Sequence, residues 1–133
     1  MPGDPPLLAV VDDDADVRIA LVRLISSAGL AVESFATGAE FLLSLERRVP
    51  SCLILDLHMP GMSGFDVQAA LARNPSARIP IVVITGHESA ESRSRARELG
   101  ACGYLPKPIE REALLTAVEA AMGDRGQRTS VTR

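Results

Sequence analysis

Five short apolar runs, each followed by a stretch with helical spacing, constrain this chain more than any other feature of it. Leu7–Val11 is the first run, and after an acidic cluster the pattern changes to that of a helix through Val17, Leu21, Leu24 and Ala28. Gly29 ends that helix, because glycine enters the left-handed conformation of a helix C-terminus at little cost. Ala31–Phe35 reads as a second strand, and Thr37 with Glu40 has capping-box spacing before a helix carrying Phe41, Leu42 and Leu45. Residues 52–55 form a third run, followed by the turn-rich HMPGMSG and a helix capped by Ser63 and carrying Phe65, Val67, Ala70 and Leu71. The run over 80–84, the most β-branched segment of the chain, precedes a polar helix over 88–99 that stops at Gly100, and a short strand over 102–105 precedes a helix over 109–122 that ends at Gly123. Five alternations predict an α/β fold with a parallel sheet and helices on both faces, since right-handed crossovers lay each helix against the sheet.

With 133 residues the chain has the size of one domain, expected over residues 1–123, with 124–133 as a flexible tail or the start of a linker. No Trp, one Tyr and three Phe leave the core to aliphatic side chains. A net charge of -3 gives this domain no general electrostatic reason to contact nucleic acid, which requires many Lys and Arg against phosphates. No apolar run is long enough to span a bilayer, and MPGDPPLL lacks the basic and apolar regions of a secretory signal, so the cytoplasm is the expected location. Cys52 and Cys102 each lie in or beside an apolar run and read as small buried hydrophobes rather than as a disulfide or a metal pair.

In an open parallel sheet, ligands bind outside the carboxyl ends of the strands. The first strand here ends in Asp12, Asp13 and Asp14, the third in Asp56 and the fourth in Thr85, and Lys107 closely follows the fifth. Clustered carboxylates repel unless a cation offsets them, and a hard oxygen site suits Mg²⁺ or Mn²⁺. Helix capping accounts for Asp14 and Asp16 but not for Asp56, which belongs to a different strand. Asp56 can act as a nucleophile toward phosphorus, while Thr85 offers a hydroxyl and Lys107 a charge to phosphoryl oxygens. The chain uses Arg thirteen times and Lys once, and that one Lys stands at the site. A compact ammonium suits a confined position between a carboxylate and a phosphoryl group better than a guanidinium does. Tyr104, the only Tyr, reads by itself as a half-buried aromatic at a strand end with its hydroxyl in water.

The runs VVDDDADVR, LILDLHMPGMSG, IVVITGH and GYLPKP, in this order and on these strand ends, resemble the receiver domain of bacterial response regulators over residues 7–122, and most of all receivers of the nitrogen-fixation and nitrate type. The resemblance implies a flavodoxin-like (βα)5 doubly wound sheet of five parallel strands in the order 2-1-3-4-5. It implies that Asp56 accepts a phosphoryl group from a sensor histidine kinase or phosphotransfer protein, followed by slow autodephosphorylation. Asp13 and Asp56 would be metal ligands, Asp12 would act mainly through metal-bound water, and the His58 backbone carbonyl would complete the set. Thr85 and Lys107 would bind the phosphoryl group, and the Tyr104 rotamer would follow Thr85, switching the surface of the fourth helix, fifth strand and fifth helix. His58 and His87 would tune dephosphorylation, or else be exposed loop histidines. The resemblance also implies a cis Lys107-Pro108 bond and dimerisation on phosphorylation.

The sequence departs from common receivers in ESRSRARE, where Arg93, Arg95 and Arg97 replace apolar surface and Glu91 has the spacing to pair with Arg95. A partner-binding module without phosphorylation is the first alternative, opposed by the intact set of Asp12, Asp13, Asp56, Thr85 and Lys107. An aspartyl-nucleophile phosphohydrolase is the second, and His58 stands where such enzymes usually carry a second acid.

Overall fold

The computed structural model describes residues 5–131, and beyond residue 123 the backbone alone. Its elements alternate throughout: β1 (Leu7–Val11), α1 (Ala15–Ser27), β2 (Ala31–Phe35), α2 (Gly38–Ser44), β3 (Cys52–Asp56), α3 (Gly64–Ala72), β4 (Ile81–Thr85), α4 (Ala90–Glu98), β5 (Ala101–Pro106) and α5 (Arg111–Val131). All pairings are parallel, and the strand order is β2-β1-β3-β4-β5, the flavodoxin-like arrangement. No described helix is long and apolar enough to cross a membrane.

Central strands covered on both faces need apolar side chains at every position, which is why β1, β3 and β4 read as continuous runs. Their alternate residues divide between two cores. Ala9, Val11, Leu53, Leu55 and Val83 pack with Phe41 of α2, Val67 and Leu71 of α3 and Ala96 of α4. Leu8, Val10, Ile54, Val82 and Ile84 pack with Leu21 and Ile25 of α1 and Leu114 and Val118 of α5. Burying one such side chain contributes about 1.5–3 kcal/mol.

Helix ends follow local chemistry. Asp14, Thr37, Ser63 and Ser89 are the N-caps of α1 to α4, and Ser63 with Asp66 forms a reciprocal capping box. At α2 the box is only half made: Thr37 accepts from the Glu40 N–H, but the Glu40 carboxylate takes the Ala36 N–H. Gly29 and Gly100 have positive φ and end α1 and α4 as expected. Gly123 does not belong to that positive-φ set, and the helix expected to stop there continues to Val131. A glycine stops a helix by turning left-handed, and one that keeps helical dihedrals only weakens it.

Cys52 is buried as expected, whereas Cys102 is exposed. The register explains the correction. Ile81 pairs with Ala101 and Val82 with Gly103, so Cys102 is the extra residue of a bulge on an edge strand, with its Sγ 3.5 Å from the Ile81 carbonyl. The two thiols are not joined by a disulfide.

Candidate phosphoacceptor and metal site

The sheet register brings the chemistry to one edge. Val11 pairs with Leu55, Asp56 with Ile84 and Thr85 with Pro106, so Asp12, Asp56, Thr85 and Lys107 come out side by side at the carboxyl ends of β1, β3, β4 and β5. Asp12, Asp56 and Thr85 are each at most 2% exposed. Buried carboxylates of this kind are rare unless paired.

Lys107 is the partner. Its Nζ lies 2.9 Å from Asp12 Oδ2 and 3.5 Å from Asp56 Oδ1. Its own backbone N–H donates to the Thr85 carbonyl at 2.8 Å, which fixes where the side chain starts, and the Lys107-Pro108 bond is cis. The approach to Asp12 is ionic by distance, but its angle leaves Oδ2 without a directed hydrogen bond. Asp12 Oδ1 accepts from the Asp14 N–H, and Arg18 of α1 donates to the Asp12 carbonyl at 2.7 Å. Asp14 is occupied as the helix cap, accepting from the Asp16 and Val17 N–H groups.

Burial, and secondarily the Asp12 charge, pushes the Asp56 carboxyl up to about 6, against the opposing pull of Lys107 and of a hydrogen bond from the His58 backbone. Burial works to lower the Lys107 pKa, but contact with Asp12 and the charge of Asp56 outweigh it and hold it above its ordinary value. At neutral pH Asp56 is therefore mostly an anion, held at an energetic disadvantage that a cation relieves.

Carboxylate oxygens of Asp12, Asp13 and Asp56 lie within 4.8 Å of one another. Three carboxylates against one ammonium leave a net charge of about −2, the deficit a divalent ion offsets. Hard oxygen donors and an Asp12 oxygen lacking a directed donor fit a small hard cation. The side chains of Asp12, Asp13 and Asp56 are thus brought together as the sequence implies.

Thr85 Oγ1 accepts from the His87 N–H at 3.1 Å. The Tyr104 ring packs against the core, and its hydroxyl is buried without a hydrogen bond, not in water as its position alone implied. Arg93 stacks over that ring at 4.9 Å and pairs with Glu88. Arg95 lies 4.2 Å over the Phe65 ring, so it engages an aromatic on α3 instead of Glu91. Guanidinium stacking keeps a helix with one buried side chain, Ala96, against its neighbours. His58 and His87 are both exposed, and their rings meet at 5.4 Å between centroids.

Two positioning residues escaped the sequence reading. A Cβ on Gly64 would lie 2.4 Å from the Asp56 carbonyl oxygen, so only glycine lets the start of α3 approach the end of β3 this closely. The second glycine of PGMSG was the available signal. Arg18 holds the loop after β1 from about one turn along α1, a contact that spacing does not announce.

The family model for the response regulator receiver domain matches residues 8–119. Nodulation protein W of Bradyrhizobium diazoefficiens is 44% identical over 115 residues, covering 86% of this chain and 50% of that protein. The chain thus spans about half the length of the curated relatives it matches first. Among solved structures, the response regulator StyR superposes with a TM-score of 0.85 at 41% identity, over 97% of this chain and 65% of that one. FixJ-N superposes with a TM-score of 0.83 at 30% identity, over 90% of this chain and 95% of that one. These likenesses agree with the nitrogen-type resemblance of the motifs, and the chain belongs to the receiver domain family of response regulators, the phosphoacceptor modules of two-component signalling.

Proposed function

We propose that Asp56 is the phosphoacceptor of this receiver, taking its phosphoryl group from a sensor histidine kinase or a phosphotransfer protein in the cytoplasm. The observation that carries this reading is a buried, mostly ionised Asp56 contacted by Lys107 and flanked by Asp12 and Asp13. An Asp56 oxygen attacks phosphorus, the bond to the donor nitrogen breaks, and the leaving imidazole takes up a proton. Lys107 stands 3.5 Å from Asp56 and neutralises charge that grows on the transferred oxygens, while the Thr85 hydroxyl donates to one of them.

Asp12, Asp13, Asp56 and the His58 carbonyl would hold Mg²⁺ or Mn²⁺, which when bound supplies charge neutralisation and orients the phosphoryl oxygens. Slow autodephosphorylation reverses the modification by water attack at phosphorus, and His58 and His87, on the loops that follow Asp56 and Thr85, tune its rate.

The switch rests on Thr85 and Tyr104. The Thr85 hydroxyl accepts from the His87 N–H, which leaves its own proton to donate to a phosphoryl oxygen, so recruiting Thr85 also pulls on the loop that carries His87. A buried hydroxyl without a partner costs about 1–3 kcal/mol, so the Tyr104 side chain is held inward at a disadvantage that a change of rotamer relieves. Tyr104 contacts Arg93, so its movement alters the surface of α4, β5 and α5, where a target or a second phosphorylated copy docks. Residues 1–123 form the receiver unit, and 124–133 a tail or the beginning of a linker.

Tyr104 is the only strong intrinsic fluorophore, since the chain has no Trp. Adding beryllofluoride, a phosphoryl mimic, with Mg²⁺ should change tyrosine emission in the native chain, and Thr85→Ala should suppress the change. An unchanged emission at saturating mimic would refute the coupling.

A further inference from the structure

We infer that His58 and His87 form a second cation site, for a borderline transition metal of the Zn²⁺ or Ni²⁺ class, separate from the hard oxygen site at Asp12, Asp13 and Asp56. The two imidazoles come from different loops, after β3 and after β4, and both are exposed. Their centroids lie 5.4 Å apart with the planes at 84°. Two imidazole nitrogens bound tetrahedrally at about 2.1 Å place their ring centroids about 5 Å apart, so the observed spacing is close to that of a chelating pair. Near-perpendicular planes let two rings share one ion without their edges colliding.

Neither ring has a hydrogen bond or ion pair among the described residues, so binding an ion rearranges their mutual edge-to-face contact and breaks no hydrogen bond or ion pair. Imidazole nitrogen suits Zn²⁺, Ni²⁺ and Cu²⁺, whereas Mg²⁺ prefers oxygen, so the two sites sort cations by ligand chemistry. Among the described residues no group of three or more close potential ligands includes either histidine, so water or an added ligand fills the remaining positions. An ion held here ties the loop after Asp56 to the loop after Thr85. The His87 N–H already donates to Thr85 Oγ1, so the ion would also restrain the Thr85 hydroxyl.

The site stands independently of phosphoryl transfer, and its test reads binding alone. Calorimetric titration of the tag-free chain with Ni²⁺, in excess Mg²⁺, is expected to show one ion per chain. His58→Ala and His87→Ala should each weaken binding by about tenfold or more, while Asp13→Asn changes it less than about twofold. Both histidines are exposed, so truncation removes no core packing. Native-like binding in both histidine variants would reduce the pair to an edge-to-face ring contact. A loss in Asp13→Asn as large as in the histidine variants would assign the ion to the acidic group and overturn the second site.

Discussion

The two ends of the sheet differ in kind. At the carboxyl ends Asp12, Asp56 and Thr85 are buried together around Lys107. At the amino ends a cavity of about 540 Å³ opens among Leu71, Ile79, Ile81 and Leu99, with Gln68 in its wall and Arg78 at its edge. That cavity is at the end with less chemistry. Buried charge held against its solvation preference, not cavity size, marks where this fold does its work.

That contrast can be broken by substitution. Removing the ammonium in Lys107→Ala should slow labelling by a small-molecule phosphodonor by about a hundredfold, the scale expected for one preorganised charge at a reacting centre. Labelling within a few fold of native would show that Lys107 serves only to neutralise Asp12.

Stability should respond at the same end with an unusual sign. The Asp56 pKa is raised in the fold to about 6, above its ordinary value of 3.8, so its contribution is most favourable below pH 3.8 and is lost as pH rises through about 6. Asp56→Asn should therefore stabilise the metal-free chain above pH 6, by up to about 3 kcal/mol, and leave it nearly unchanged at pH 4. Mg²⁺ should shrink that difference by stabilising the native carboxylate. Equal denaturant midpoints for the two chains at pH 8 without Mg²⁺ would contradict the strained carboxylate.

At the opposite end, Leu71→Ala should destabilise by about 2–3 kcal/mol, since its side chain is mostly buried beside a cavity that can partly relax. Labelling of the folded fraction should not change. Arg93→Ala is the smallest of these effects, about 0.5–1 kcal/mol, because its stacking on Tyr104 is partly exposed. A larger loss would mean that α4 depends on this one contact.

Much of this could be read in advance because parallel strands write themselves plainly. Leu53, Ile54 and Leu55 must all be apolar in a strand covered on both faces, so the polar residue that interrupts the run, Asp56, announces the strand end. The same reasoning found Asp12, Thr85 and Lys107, and the family resemblance supplied the role of Tyr104. Contacts between elements were not legible. Gly64 matters through a distance to Asp56 set by how α3 returns over β3, and Arg18 through its reach from α1. Cys102 is exposed because of a bulge, a one-residue irregularity that hydrophobic patterning cannot encode. Gly123 failed as a stop signal because glycine permits a left-handed turn without requiring one. Arg95 found the Phe65 ring because tertiary packing offered a partner better than a surface ion pair.

The central claim, that Asp56 carries the phosphoryl group, is tested most directly by intact mass after incubation with acetyl phosphate and Mg²⁺, comparing the native chain with Asp56→Ala. The account predicts one added phosphoryl mass in the native chain, lost on omitting Mg²⁺ and absent from the variant. An unmodified native chain in a folded sample, or equal labelling of Asp56→Ala, would contradict it.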